Sequence, residues 1–431
     1  MHTASFARGQ SEAHPEFVAA LVQASESYAI VASQDIVDVR GIKLWAKGLP
    51  VSSALQQRLL ERKLRNPIES CLVAEDGVTT FYLHDALTQL LAHHSSLALA
   101  LRPHGPVLEK LFKQIPLHPV AQLLLTTALA TRPAAVEHAV QAMALAGAMA
   151  SAQTTPMDAR LAMMGGLLHD IGEVYVQPQY LNGENPRDLV GHKFLMVHPR
   201  MGQLLLEGTT DYPATLCRAI GEHHERSNGS GYPARLAGDA ISPLGLLLSA
   251  VETVLAHQHT SPAPLTSASF ALRVVPGEYP ERYSSIAFNM ARAAQEPPPS
   301  GLDLASGNLQ RIHSTLLAAE QTAQQVSAQM QPGAGASIVA LAQQRTARLR
   351  MAWNALGVWD IRAEQLTDAD RFEMACACKE LDQHLYELAR ECMLLAQDLP
   401  LAEQSALAPL WSALELPARP HAAQAPQPAH A

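Results

Sequence analysis

His223-His224-Glu225-Arg226-Ser227-Asn228-Gly229-Ser230-Gly231-Tyr232-Pro233 joins two adjacent imidazoles and a carboxylate to a glycine-rich turn. Successive residues on a helix point about 100° apart, so both histidines can reach one cation only where the helix ends. Gly229, Gly231 and Pro233 are expected to shape the loop, with Tyr232 packed inside it. Roughly fifty residues upstream lies Leu167-Leu168-His169-Asp170-Ile171-Gly172. An adjacent His-Asp pair offers a terminal ligand and a carboxylate able to bridge two ions.

The surrounding pattern is helical. Apolar residues recur at helical spacing through Val136-Val140-Met143-Leu145-Ala146, Leu161-Met164-Leu167-Leu168 and Leu244-Leu248-Val251-Leu255. Pro133 stands where a first helical turn tolerates it. Asn182 to Pro186 and Asn228 to Pro233 read as loops. Over the 431 residues, 48% are hydrophobic, 16% charged and only 5% aromatic, with Ala and Leu dominant, which favours helix over sheet.

The chain has room for several segments. Residues 1–106 read as a small α+β module. Tyr28–Ala32, Ile36–Val39 and Ile42–Trp45 around Arg40-Gly41 suggest a hairpin, with a helix from Ser52 or Ser53 to Leu64. Further strands are expected near Ser70–Val73 and Thr79–Leu83. Residues 107–295 form the helical domain that carries the motifs. Glu296-Pro297-Pro298-Pro299-Ser300-Gly301 marks a boundary, after which 296–416 holds helical stretches at Leu302–Met330 and Ile338–Ala396. The Ala-, Pro- and Gln-rich residues 417–431 read as a disordered tail.

Composition excludes several classes of function. A net charge of -9 opposes non-specific binding to nucleic acid or anionic lipid. A small anionic ligand still fits if bound cations reverse the local sign. The apolar runs near Val120–Ala130 and Leu244–Leu255 are too short to span a bilayer. Met1 to Glu16 lacks a signal core, and five scattered cysteines with no CxxC pair read as free thiols. A cytoplasmic location is expected.

The two motifs, in this order and spacing, resemble the HD-GYP family of metal-dependent phosphohydrolases. The resemblance covers about residues 130–260. It implies a mainly α HD-domain bundle, here with the N-terminal α+β module and extra C-terminal helices. The implied activity is hydrolysis of cyclic di-GMP to linear pGpG, GMP or both, with His169 and Asp170 at its centre. The implied cofactors are two divalent ions, iron or manganese. The first would be held by His138, His169, Asp170 and Glu252, the second by Asp170 as a bridge with His198, His223 and His224. Ala134 stands where some members carry a Glu for a third ion, so two are expected. His192, His257 and His259 fall outside the register and read as surface residues. The family also implies a cyclic dinucleotide as ligand, with a homodimer and diguanylate cyclase-type domains as candidate partners. Asp35-Ile36-x-Asp38-x-x-Gly41-x-x-Leu44-x-x-Lys47-Gly48 is similar to a segment that precedes some HD-GYP domains, and a structural or coupling role is expected for it.

Several positions depart from the family pattern. Glu173 replaces a Lys near the substrate phosphate, a charge reversal that Lys193, Arg200 or Arg226 would have to offset. Glu252 replaces an Asp ligand, moving the carboxylate by roughly 1.5 Å. Asn228 replaces an Asp, and an Arg-Pro-Tyr element gives way to Ser261-Pro262-Ala263-Pro264-Leu265, with Arg273 further on. Glu225 and Arg226 are expected to orient ligands or to pair locally. These departures leave a rival expectation open, a domain that has lost turnover and binds nucleotide or a partner.

Overall fold

The computed structural model describes residues 11–59, 62–153, 157–181, 189–258, 260–296, 306–357 and 367–414. The expected loop at Asn182 to Pro186, His259, the boundary at 297–301 and the tail at 417–431 lie outside them. The chain divides into two compact units, Met1–Arg273 with Gly277–Pro297, and Val274–Pro276 with Pro298–Ala431. Among the described residues no helix is long and apolar enough to cross a membrane. All five cysteines are free and buried.

The first unit is built around the helix Pro133–Ser151, which Pro133 opens. Its length from Ala142 to Ala150 is buried, and most of these side chains are Ala or Gly. Small side chains let neighbouring helices approach closely, and Thr80–Ala92, Pro119–Thr131, Ala159–Leu168 and Pro243–Leu255 pack around it. Helix starts are sequence-encoded: Asp158 accepts from the backbone N–H of Arg160 and Leu161, and Ser242 from that of Gly245.

The N-terminal strands form short antiparallel pairs. Ile36–Val37 pairs with Lys43–Trp45, the expected hairpin, while Ile30–Ala32 pairs with Leu72–Ala74 and Ser11–Glu12 with Lys63–Leu64. Two expectations need correction. Thr79–Leu83 is not a strand: Gly77 turns the chain with φ 82°, and the Thr79 hydroxyl caps a helix over Thr80–Ala92 by accepting from Tyr82 N–H. The helix from Ser53 stops at Leu59, and Lys63–Leu64 is the strand partner of Ser11–Glu12. Here pairing with distant chain overrides local propensity.

This small module is anchored to the bundle. Val78 N–H donates to the Thr126 hydroxyl, and the Gln122 amide to the Ala74 carbonyl oxygen. Phe17 stacks on Tyr175, whose hydroxyl donates to the Glu69 carboxylate at 2.5 Å. Tyr175 closes the turn Ile171–Tyr175 that follows Asp170, so the module grips the backbone beside the His-Asp pair.

The second unit contains the helices Ser306–Gln329, Ala334–Ala355, Asp368–Ala396 and Leu401–Leu414. Ile312, Leu316, Leu349, Leu381, Leu385 and Leu407 lie in its core. The expected continuous stretch Ile338–Ala396 is interrupted. Gly357 takes a positive φ of 66°, and Thr367 with Asp370 forms a capping box that starts a new helix.

Burial raises the Glu69 carboxyl from its ordinary value, against the opposing Tyr175 hydrogen bond. A group bound more tightly to its proton in the folded state stabilises fully below its unfolded pKa and loses that contribution as pH rises through its folded pKa. The stability of wild type relative to Glu69→Gln should therefore fall as pH rises above about 4.3, the ordinary Glu value. Thermal midpoints measured for both proteins across this range check it, and parallel curves would count against a buried, proton-holding Glu69.

Candidate metal centre

Three histidines end or begin helices and are set by the same local bond. His169 follows the helix Ala159–Leu168, His198 opens His198–Thr209, and His223 follows Ala214–Glu222. Each turns its Nδ1 to the carbonyl oxygen three residues back: Gly166 at 2.7 Å, Leu195 at 2.6 Å and Ile220 at 2.6 Å. A bond to a carbonyl oxygen requires a proton on Nδ1, so the Nε2 lone pair of a neutral ring faces inward.

Those Nε2 atoms converge on Asp170. Its Oδ2 lies 3.1 Å from His169 Nε2 and 3.6 Å from His138 Nε2; its Oδ1 lies 3.2 Å from His198 Nε2 and 3.4 Å from His223 Nε2. Glu252 Oε1 completes the first side, 2.7 Å from His169 Nε2 and 2.9 Å from His138 Nε2. His224 completes the second, its ring 4.3 Å from that of His223. Two groups result, each with ligand atoms within 4.8 Å of one another: His138, His169, Asp170 and Glu252, and Asp170, His198, His223 and His224.

The donor set fits a pair of cations. His198 and His223 bring their Nε2 atoms to 3.1 Å, and His138 and His169 to 3.3 Å. At such distances two lone pairs repel unless a proton or cation lies between them. Ligand bonds of about 2.0–2.1 Å to one metal would place neighbouring donors roughly 3.0–3.4 Å apart, in the same range. None of the five cysteines belongs to either group, so the donors are imidazole nitrogen and carboxylate oxygen.

Electrostatics point the same way. Burial pushes the Asp170 and Glu252 carboxyls up, but neighbouring imidazoles outweigh it and hold both well below their usual range. Burial pushes His169 down, and the two carboxylates reverse this and raise it well above its ordinary value. Burial and its imidazole neighbours both depress His224. The cluster thus holds protons that a cation would displace.

The loop Asn228 to Pro233 braces His224. Tyr232 stacks on its ring at 4.5 Å and donates its backbone N–H to the His224 carbonyl oxygen. A Cβ at Gly231 would lie 2.3 Å from that same oxygen, so only glycine fits where the loop folds back. Gly229 adopts a φ of 76°, and Tyr232-Pro233 is a cis peptide. Glu225 is fully buried and accepts the backbone N–H groups of Ala234 and Leu236, holding the loop's far side. Arg226 pairs with Glu278 at 3.0 Å.

Other sequence expectations resolve differently. Arg200 donates to Gln203, and Lys193 is exposed on the short helix Leu189–Leu195. The partner of Glu173 is Arg132, a residue that sequence reading passed over. Arg132 directly precedes Pro133 at the start of the His138 helix, which was its only local signal. Glu222 was also missed: its carboxylate accepts Ser242 N–H at 2.8 Å and so positions the start of the Glu252 helix. His257 is not a surface residue. It is 6% exposed, with Nδ1 2.8 Å from the Thr253 carbonyl oxygen, because the helix end it follows packs into the bundle.

Residues 123–275, which hold both motifs, match the family model described as HD domain. The chain is 29% identical over 201 residues to a cyclic di-GMP phosphodiesterase of Pseudomonas aeruginosa, covering 46% of each. It is 34% identical over 98 residues to a cyclic di-GMP phosphodiesterase response regulator of Xanthomonas campestris, covering 22% of this chain and 26% of that one. Similarity extends to a 3'3'-cGAMP-specific phosphodiesterase of Vibrio cholerae, 30% identical over 86 residues, or 20% of this chain and 18% of the other. The chain thus spans less than half the length of these relatives. No solved structure matches it.

Gly172 lets the turn after Asp170 lie against the His198 helix: a Cβ there would sit 2.1 Å from the His198 carbonyl oxygen. Gly172→Ala must push these elements apart, at a cost of about 1–3 kcal/mol. Circular dichroism should show the helices retained, while bound divalent metal per chain, read by plasma mass spectrometry, falls. Full metal content would mean that the approach of the turn to His198 does not set the site.

Proposed function

We propose that this protein is a metal-dependent phosphodiesterase that hydrolyses cyclic di-GMP to linear pGpG, GMP or both. The observation that carries the reading is the Asp170 carboxylate, with one oxygen toward each of two nitrogen-rich groups, inside a segment that matches an HD domain. The relatives' names supply the substrate class.

His138, His169, Asp170 and Glu252 would hold one ion, and Asp170, His198, His223 and His224 the other. When bound, two divalent ions, iron or manganese, supply positive charge for the phosphoryl oxygens and a water acidic enough to act as nucleophile near neutral pH. The residues themselves do the positioning. The Nδ1 bonds of His169, His198 and His223 fix three rings before any ligand arrives, and Tyr232 with the glycine loop fixes a fourth. Glu252 reaches both His138 and His169 despite its extra methylene. Glu173, the reversed charge beside Asp170, is matched by Arg132, so the pair adds no net charge where a phosphate must approach.

Purified protein reconstituted anaerobically with iron(II) or manganese(II) should hydrolyse cyclic di-GMP, with the product resolved by chromatography. Asp170→Ala should reduce turnover to background and empty both sites. Glu252→Ala should lose one ion and keep the other. No turnover with two ions bound per chain would replace this reading with a nucleotide- or partner-binding domain.

A further inference from the structure

The charge of this chain is unevenly distributed. Between Ile36 and Arg65 stand seven Lys and Arg residues against two acids, Asp38 and Glu61, whereas the whole chain has 31 against 40. All seven cations are exposed. The fold brings several of them together. Ile36–Val37 pairs with Lys43–Trp45, and Asp38 bridges to Leu64 on the other side. Side chains alternate across a strand, so Ile36, Asp38, Leu44 and Leu64 are buried while Val39, Lys43, Lys63 and Arg65 face solvent.

The tip of the hairpin carries the apolar part of this face. Val39 is 39% exposed and Ile42 49%, on either side of Arg40-Gly41. The turn that presents them is built. The buried Asp38 carboxylate accepts the backbone N–H of Arg40 at 2.9 Å and that of Ile42 at 2.8 Å, and Val39 N–H donates to the Lys63 carbonyl oxygen. Gly41 takes a φ of 83°, and an Arg65 nitrogen lies 3.3 Å from where its Cβ would be. Two aliphatic side chains are thus held outward, with Arg40 between them and Arg65 against the turn. Lys43 pairs with Asp35 and Arg62 with Asp38, but among the described residues Arg40 and Arg65 make no ion pair.

The composition of the face separates its three kinds of anionic partner. Lysine is depleted from protein interfaces, and here Lys43 and Lys63 border the apolar tip. Single-stranded nucleic acid is held on open aromatic faces, and the Trp45 ring of this hairpin has the Arg58 guanidinium over it, 5.5 Å from its centroid. An anionic bilayer offers phosphates to the cations and an apolar layer beneath them to Val39 and Ile42. Attraction to such a surface acts within a Debye length of about 8–10 Å, so the local excess of cations decides it rather than the charge of the whole chain.

We propose that the hairpin tip from Val39 to Ile42, with Lys43, Lys63 and Arg65, is a docking surface for an anionic lipid bilayer. Val39 and Ile42 enter among the headgroups, and the cations rest on lipid phosphates. The assignment does not depend on the phosphodiesterase reading. The same module holds Tyr175 close to Asp170, so the metal centre is carried to the bilayer with it.

Flotation of the full chain with lipid vesicles tests the surface. The protein should rise with vesicles of phosphatidylcholine and phosphatidylglycerol, stay behind with phosphatidylcholine alone, and lose most of its binding at high salt. Arg65→Ala should weaken partitioning about fivefold, the scale of one basic side chain near an anionic surface. Ile42→Ser, which leaves the charge intact, should weaken it severalfold. Arg40→Ala repeats the charge test should circular dichroism show that Arg65→Ala fails to fold. No flotation with the anionic vesicles, equal flotation with the neutral ones, or unchanged partitioning in either variant each overturns the surface. Binding to polyglutamate or single-stranded DNA without binding to anionic vesicles would assign the face to a protein or nucleic acid and overturn it as well.

Discussion

The Asp170 carboxylate is the constraint around which the first unit is arranged. One oxygen faces His138, His169 and Glu252, and the other faces His198 and His223, so four segments distant in sequence must meet at one functional group. Burying two carboxylates and several imidazoles together is costly unless their charges and lone pairs compensate one another. They do so by proximity. The imidazoles hold both carboxyls low, and the carboxylates hold His169 high. The same atoms are placed where two cations could take over from shared protons.

The packing around this group follows from it. Close approach is obtained with small residues: Gly172 against the His198 backbone, and the Ala-rich run of Pro133–Ser151 against its neighbouring helices. Orientation comes from backbone carbonyls, which take the Nδ1 protons of three histidines and leave no freedom in which nitrogen faces the site. The glycine loop contributes without adding a ligand of its own. It folds over His224 as a stacked ring and a backbone hydrogen bond, held from behind by the buried Glu225. Even the N-terminal strands take part, since Tyr175 is held by Glu69 and Phe17 a few residues beyond Asp170.

Glu173 shows how a departure from a family pattern depends on its surroundings. In isolation it places a negative charge where a phosphate is expected to approach. Beside Arg132 it becomes one half of a neutral donor–acceptor pair on the wall of an apolar cavity.

The helical class, the hairpin around Arg40-Gly41 and the grouping of His138, His169, Asp170, His198, His223, His224 and Glu252 were legible in the sequence. Helical periodicity, turn chemistry and motif spacing are local or fixed-register signals, and they survive without knowledge of contacts. What stayed hidden needed a partner from elsewhere in the chain. Thr79–Leu83 has the composition of a strand but the Thr79 cap makes it a helix start, Lys63–Leu64 is a strand only through Ser11–Glu12, and His257 is buried by packing that its neighbours in sequence do not reveal. Arg132 and Glu173 are distant in sequence, and neither residue announces the other. The sequence by itself determined which imidazoles and carboxylates gather into the two groups and the helices that carry them. The tertiary structure alone decided which nitrogen each histidine presents, which cation answers Glu173 and what wall closes the cavity, because those outcomes depend on distances between segments that local chemistry does not encode.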